Sequence, residues 1–348
     1  MPKRTKVLIV KIAAIGDVAL ALPMIAALKS ELTDCEISWM VGATAAPLIR
    51  SVSGIEHIIE IDDRRLLGPN KVLRIWELLL VWKKTLLKEY DLVLMAHSSR
   101  LFSLLALAVR FKQYRSFSGS NMRPGYLLGR HRIAENIRLA RGHDDFKLKT
   151  FGFPKLLLEQ NPINLGPRPE GVRVICLCPG GAKNIYSDDF VRRWPIECYV
   201  KLASELISGG NIIVIAGASS DEWVLPYFEN INHIAALGKT SITELLALFN
   251  DCDIIVSHDS GPLHLAAVLG KPVVGLFGPT SPINAGPVQP NSTSIVTLAP
   301  MPCSPCYSGR TYAACADNVC MKSITVTQVL LRTKEILSHS LSPEKRKD

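Results

Sequence analysis

Residues 258–264, HDSGPLH, set an acid, a hydroxyl, a glycine and a histidine side by side. DIIVSHD (253–259) reads as a strand and GPLHLAAVLG as the helix that follows it. Ser260 then falls at the N-cap, and Gly261 lets the backbone come close to a ligand. Unsatisfied N–H groups at a helix start bind anions, so a diphosphate fits here, with Asp259 beside it for sugar or ribose hydroxyls. The same residues also suit an ordinary helix start with a capping acid and a turn glycine. His264 lies one turn into the helix, where histidine serves packing or ligand contact more often than acid–base chemistry.

Three further clusters have the residue types for chemistry. CPGGAKNIYSDDFVRRWP (178–195) follows a strand with Gly180 and Gly181, a pair suited to a loop that approaches phosphate. Arg192 offers a bidentate fork to such a group, although Arg192-Arg193 also reads as a solvated basic pair; Pro195 marks a helix start. VKIAAIGDVALALP (10–23) puts Gly16 and Asp17 in the first strand-to-helix turn, where Asp17 is either an N-cap acid or a general base. That turn lacks GxGxxG, which argues against a nicotinamide dehydrogenase. Cys303, Cys306, Cys315 and Cys320, spaced C-x2-C-x8-C-x4-C, could hold a tetrahedral metal, but the second half is not a CxxC knuckle. A loop of packed, reduced cysteines is the preferred reading.

The elements that must position these residues repeat along the chain. Strands are expected at 6–12, 36–41, 55–61 and 90–96, with helices over VALALPMIAALKSEL and VLRIWELLLVWKKTLLKE. After a Pro-, Gly- and Asn-rich stretch at 158–171 the pattern restarts, with strands at 172–181, 211–217, 253–259 and 272–278. Strands alternating with helices and no hairpin signal imply an α/β chain with two Rossmann-like parallel-sheet domains facing a cleft. The expected division is 1–160, 171–330 and a C-terminal helix and tail at 331–348. Segment 97–143 is basic and only partly periodic, either a substrate-facing surface or a solvated helical face.

Composition narrows the classes. Of 348 residues, 48% are hydrophobic and 20% charged, which excludes disordered and collagen-like chains. The formal charge of +9 favours anionic partners: nucleotides, phosphorylated glycolipids, acidic membrane surfaces or nucleic acid. No nucleic-acid module is recognisable, so that partner is not expected. Lys11 and Asp17 interrupt the N-terminal apolar run, so neither a signal peptide nor a membrane span is expected. Nine cysteines without a leader point to a reducing cytosol.

Taken together, VKIAAIGDVALALPMIAALK, CPGG…RRWP, HDSGPLHLAAVLGKPVVGLFGPTSP and CSPCYSG…CM, in this order, resemble the ADP-heptose–lipopolysaccharide heptosyltransferase family of GT-B glycosyltransferases. The resemblance implies transfer of heptose from ADP-heptose to the lipopolysaccharide inner core by a single inverting displacement, with no required cofactor. It implies Asp17 as the base that deprotonates the acceptor. It places Asp259, Ser260, Gly261 and His264 in the donor-binding block, with Gly180 and Gly181. Arg192 stands where many relatives have Lys against the donor diphosphate, and Glu222 and Thr240 match nucleoside-contacting positions. Lys11, Gly16, His97, Ser98 and Arg100 are the acceptor-side candidates. The implied partners are a nucleotide sugar and a phosphorylated lipid A–core acceptor, at the inner leaflet of the cytoplasmic membrane. Open alternatives are a relative using another nucleotide sugar or acceptor, perhaps protein, and a non-catalytic nucleotide-sugar-binding protein.

Overall fold

The structure is a computed structural model and describes residues 4–117, 129–183, 188–288, 295–298, 301–307 and 312–339. The chain separates into two compact units, one running to Leu157 and one built from Leu158 onward.

In the N-terminal unit, β1 (Thr5–Val10), β2 (Cys35–Gly42), β3 (His57–Ile61), β4 (Glu89–Met95) and β5 (Arg110–Ser116) form a parallel sheet in the order β3-β2-β1-β4-β5. Val7 to Val10 are wholly buried, because helices cover both faces of a parallel sheet and every side chain points into protein. Leu8 and Val10 pack with Met40, Ile59, Val93 and Met95 in the core on one face of this sheet.

The C-terminal unit contains β6 (Val174–Cys178), β7 (Ile212–Ile215), β8 (Ile234–Ala235), β9 (Ile254–His258), β10 (Val273–Phe277) and β11 (Ile295–Leu298). The sheet is again parallel, in the order β11-β10-β9-β6-β7-β8. Trp194, Tyr199, Phe228 and Leu276 are among the large side chains of its core.

Strand order reverses between β1 and β4 in the first sheet and between β6 and β9 in the second. Ligands of open α/β sheets bind outside the carboxyl ends of strands at such switch points. Asp17 follows β1 and His97 follows β4; Gly180 and Gly181 follow β6, and Asp259 and Ser260 follow β9. The topology thus gathers the sequence candidates into one group per unit.

Three expectations need correcting. The helix expected over VALALPMIAALKSEL is two, Ile15–Ala19 and Met24–Glu31, because Pro23 cannot continue the first and takes the N-cap of the second. Segment 97–143 contains a short 3-10 helix (Arg100–Ala106), β5 and the helix Arg132–Arg141. β5 is an edge strand, mostly exposed and rich in cations, so it has no apolar alternation to reveal it. Strands β8 and β11 also escaped the reading, the first because it is only two residues long.

Candidate active site

The N-terminal group begins where β1 ends. Asp17 is not an N-cap: Ala14 holds that position, and Asp17 sits in the first turn of Ile15–Ala19. Its Oδ1 accepts a hydrogen bond from Arg132 Nη1 at 2.6 Å, and its Oδ2 lies 3.9 Å from Lys11 Nζ. About a third of the Asp17 side chain stays exposed (34%), so the carboxylate is anchored without being enclosed. Burial lowers the Lys11 ammonium; Asp17 opposes that shift and Arg132 adds to it. The sequence reading did not name Arg132. It belongs to a helix that starts 115 positions after Asp17, and only the general basicity of 97–143 pointed toward it.

His97 and Ser98 leave β4 beside this turn. His97 Nε2 accepts the Ile12 backbone N–H at 2.9 Å, so that nitrogen carries no proton. Burial, then the Lys11 charge, pushes the imidazole well below its usual value, and the ring stacks on Phe102. His97 therefore fixes the β1 exit as a neutral positioning residue. Gly16 is buried within its helix, and Ser98 is exposed. Arg100 opens the short 3-10 helix.

The C-terminal group is denser. Gly180 has no room for a Cβ, which would stand 2.4 Å from the Asp221 side chain. Gly181 has φ +85°, and its N–H is donated to Asp221 Oδ1 at 2.9 Å, while Ala218 N–H goes to Oδ2. The glycine pair is thus required by a buried carboxylate that ties the β6 exit to the β7 exit, and the Gly181 amide is already engaged. Asp221 was not singled out from the sequence. The two arginines divide their tasks. Arg193 donates to Gly181 O, pairs with Asp188 and lies over the Trp223 ring. Arg192 donates to Asp189 Oδ2 at 2.9 Å and to the Asp259 carbonyl at 3.1 Å, with the Asp259 carboxylate 3.8 Å away.

Asp259 is 5% exposed and His264 6%. Burial alone would raise the Asp259 carboxyl. The hydrogen bond from His264 Nε2 (3.2 Å), the Arg192 charge and the nearby Thr280 hydroxyl outweigh it and hold the carboxyl well below the usual carboxylate range. With His264 Nε2 donating to Asp259, Nδ1 is buried with no partner among the described residues. Ser260 occupies the N-cap of Gly261–Val268 but does not cap it. Its hydroxyl is held by the His258 carbonyl and the Ser257 hydroxyl, so it does not reach the helix N–H groups.

Beneath this cluster, the Tyr199 hydroxyl accepts the His258 backbone N–H and meets the His258 Nδ1 lone pair. Burial, with Arg192 and Arg193 adding to it, pushes His258 down to about 3. Neutral His97 and His258 favour the folded state fully above about pH 6.5, and that contribution is lost as pH falls toward their folded values. The unfolding free energy is therefore expected to fall from pH 7.5 to 5.5, by up to about 1.4 kcal/mol per pH unit for each histidine. His97→Gln can still accept the Ile12 N–H, and is expected to remove roughly half of that slope in urea titrations.

Glu222 and Thr240 flank a neighbouring turn: a Cβ on Gly238 would meet Glu222 Oε1 at 2.7 Å, and Thr240 precedes the Ser241-capped helix Ile242–Asp251. Among the described residues neither side chain hydrogen-bonds to the Asp259 cluster. Tyr312 does belong near that cluster; burial raises its phenol, and Arg192, Asp189 and Asp259 are the neighbouring charges. Cys306 and Tyr307 donate backbone N–H groups to the Pro279 carbonyl. Cys303 is exposed, Cys306 and Cys315 are half-buried and Cys320 is buried; all are free thiols. Among the described residues no group of three or more His, Cys, Asp or Glu is arranged to hold a metal ion. No described helix is long and apolar enough to cross a membrane.

Comparison with known proteins places this geometry. The lipopolysaccharide core heptosyltransferase OpsX of Haemophilus influenzae is 26% identical over 308 residues, covering 83% of each chain. The solved structure of E. coli ADP-heptose LPS heptosyltransferase II superposes with a TM-score of 0.72 at 20% identity, over 97% of this chain and 100% of that one. E. coli heptosyltransferase WaaC with ADP gives 0.70 at 17% identity, over 95% and 100%. These two likenesses show the fold, a pair of parallel α/β units of the GT-B kind. The sequence model of glycosyltransferase family 9 (heptosyltransferase) matches residues 80–316, more than half of the chain, and the chain therefore belongs to that family of glycosyltransferases.

Proposed function

We propose that the chain transfers heptose from ADP-heptose to a hydroxyl of the lipopolysaccharide inner core, at the inner face of the cytoplasmic membrane. The observation that carries this reading is the buried Asp259–His264 pair with Arg192 beside it, at the start of a helix that its own N-cap serine does not cap. Cationic and dipolar groups of this kind suit a nucleoside diphosphate. The relatives, an ADP-heptose LPS heptosyltransferase and a lipopolysaccharide core heptosyltransferase, suggest the ADP-heptose and the core acceptor.

In the proposed reaction, the Asp17 carboxylate takes the proton of the acceptor hydroxyl. That oxygen forms a bond to the anomeric carbon from the face opposite the leaving group. The carbon–oxygen bond to phosphate breaks, and its electron pair departs on ADP. Arg132 and Lys11 fix the direction of the base. Arg192 and the Gly261 helix start offset the charge that develops on the diphosphate. Asp259 accepts hydrogen bonds from donor hydroxyls, and Glu222 and Thr240 contact the nucleoside. Gly180 and Gly181 shape the loop beside it; Gly16, His97, Ser98 and Arg100 frame the acceptor side.

Calorimetric titration with ADP tests the donor half. The native chain is expected to bind ADP in preference to UDP or GDP, and Arg192→Ala to weaken binding by about 10- to 100-fold, the worth of a charge-assisted hydrogen bond. Arg192→Lys keeps the charge without the fork and is expected to recover only part of that loss. Equal affinity in native chain and Arg192→Ala would remove Arg192 from the donor site.

A further inference from the structure

The helix Lys71–Thr85 in the N-terminal unit is built the wrong way round for a water-facing helix. Asn70 caps it, accepting from the Val72 and Leu73 backbone N–H groups. Its inward side carries Val81, Thr85 and Glu77, the last of these accepting the Asp62 backbone N–H at 2.9 Å. Its outward side should then be polar. Instead Val72 is 74% exposed, Ile75 59%, Trp76 55% and Leu79 48%, and Leu86 continues the row just past the last turn at 61%. Positions 72, 75, 76, 79 and 86 share one helical face, so these side chains form a single apolar stripe pointing away from the core.

The charge around the stripe is one-sided. From Asp62 to Glu89 the sequence holds seven Lys and Arg and four acids, of which Asp63 and Glu77 are buried and Asp62 pairs with Arg65. Lys71 at one end, Lys83 within the stripe between Leu79 and Leu86, and Lys88 at the other end are all exposed. A second copy of this face would set cation against cation, and lysine is depleted from the cores of protein interfaces. An anionic lipid surface resolves both features. It takes a tryptophan at headgroup level, admits aliphatic side chains below it and attracts lysines that reach back to the phosphates.

We propose that this face of Lys71–Thr85 docks the protein on an anionic phospholipid bilayer, lying in the plane of the interface. A helix of 15 residues is too short to cross a bilayer, which fits that placement. The inference rests on the membrane location proposed above, for which it names the surface, and needs neither the donor nor the acceptor.

Vesicle flotation tests it, using the full chain without nucleotide sugar or glycolipid. The native chain is expected to float with vesicles of phosphatidylcholine containing about one-third phosphatidylglycerol, not with phosphatidylcholine alone, and to be released by salt. The double variant Trp76→Asp/Leu79→Asp is expected to lose at least about tenfold in bound fraction, and Lys71→Glu/Lys83→Glu/Lys88→Glu a similar amount. Circular dichroism and the urea midpoint should not change, because every substituted side chain is exposed. ADP binding should also persist in both variants, which separates this test from that of the donor site. The proposal is overturned if the native chain does not float with anionic vesicles, or if Trp76→Asp/Leu79→Asp floats as well as the native chain. It is overturned too if light scattering shows a dimer that this variant splits, since a second copy would then cover the stripe.

Discussion

Asp17→Asn is expected to slow acceptor-dependent ADP release by about a hundred- to ten-thousand-fold, while ADP affinity stays as in the native chain. Asparagine keeps the volume of the side chain and an oxygen for the Arg132 guanidinium, but it cannot take a proton. The loss should therefore fall on the rate of the bound complex, read in single turnover, and not on the donor concentration needed to saturate it. Arg132 and Lys11 fix the carboxylate at the exit of β1 while about a third of it stays exposed. An Asp17→Asn chain that turns over at the native rate would remove Asp17 from the role of base.

Asp259→Ala is expected to cost about 3 kcal/mol of stability at pH 7 and to abolish measurable ADP binding. The substitution leaves the half-buried Arg192 guanidinium and the buried His264 Nε2 without the carboxylate that faces them. Asp189 still pairs with Arg192, which keeps the expected cost at the lower end of the range for breaking a buried pair. The pH dependence separates this carboxylate from the histidines. A carboxyl held below its unfolded value contributes stability that is complete above about pH 4 and is lost as pH falls toward its folded value. Urea unfolding of the native chain should thus weaken in two stages. The first begins below about pH 6.5, from His97 and His258, and the second below about pH 4. Asp259→Asn is expected to retain the first and flatten the second. A second stage of undiminished size in that variant would assign it to other carboxylates.

Much of this architecture can be read from the chain because buried parallel strands leave uninterrupted apolar runs, as in KVLIV and DIIVS, and their exits are marked by Gly, Pro and acid. The switch points follow from strand order, which no local pattern encodes. β5 stayed hidden because its seven residues, RFKQYRS, look like a solvated loop when one edge and both faces are largely open. The same limit applies to the sites. HDSGPLH announces itself through close spacing, and its Asp259–His264 contact spans only five positions. Arg132 reaches Asp17 across 115 positions, and Asp221 reaches Gly181 across 40, so neither pairing has a sequence signature. Ser260 illustrates the opposite error. Its position made it a cap, but its hydroxyl finds acceptors behind it in the strand exit and leaves the helix start uncovered.

The measurement that bears most directly on heptose transfer is ADP release from ADP-L-glycero-D-manno-heptose by the purified chain, with and without a heptose-deficient lipopolysaccharide acceptor. Release is expected to depend on the acceptor and to yield a product heavier by one heptose. ADP-heptose that binds tightly but is never consumed with that acceptor would contradict the proposed reaction, and no binding of ADP-heptose at all would contradict the donor assigned to the Asp259 cluster.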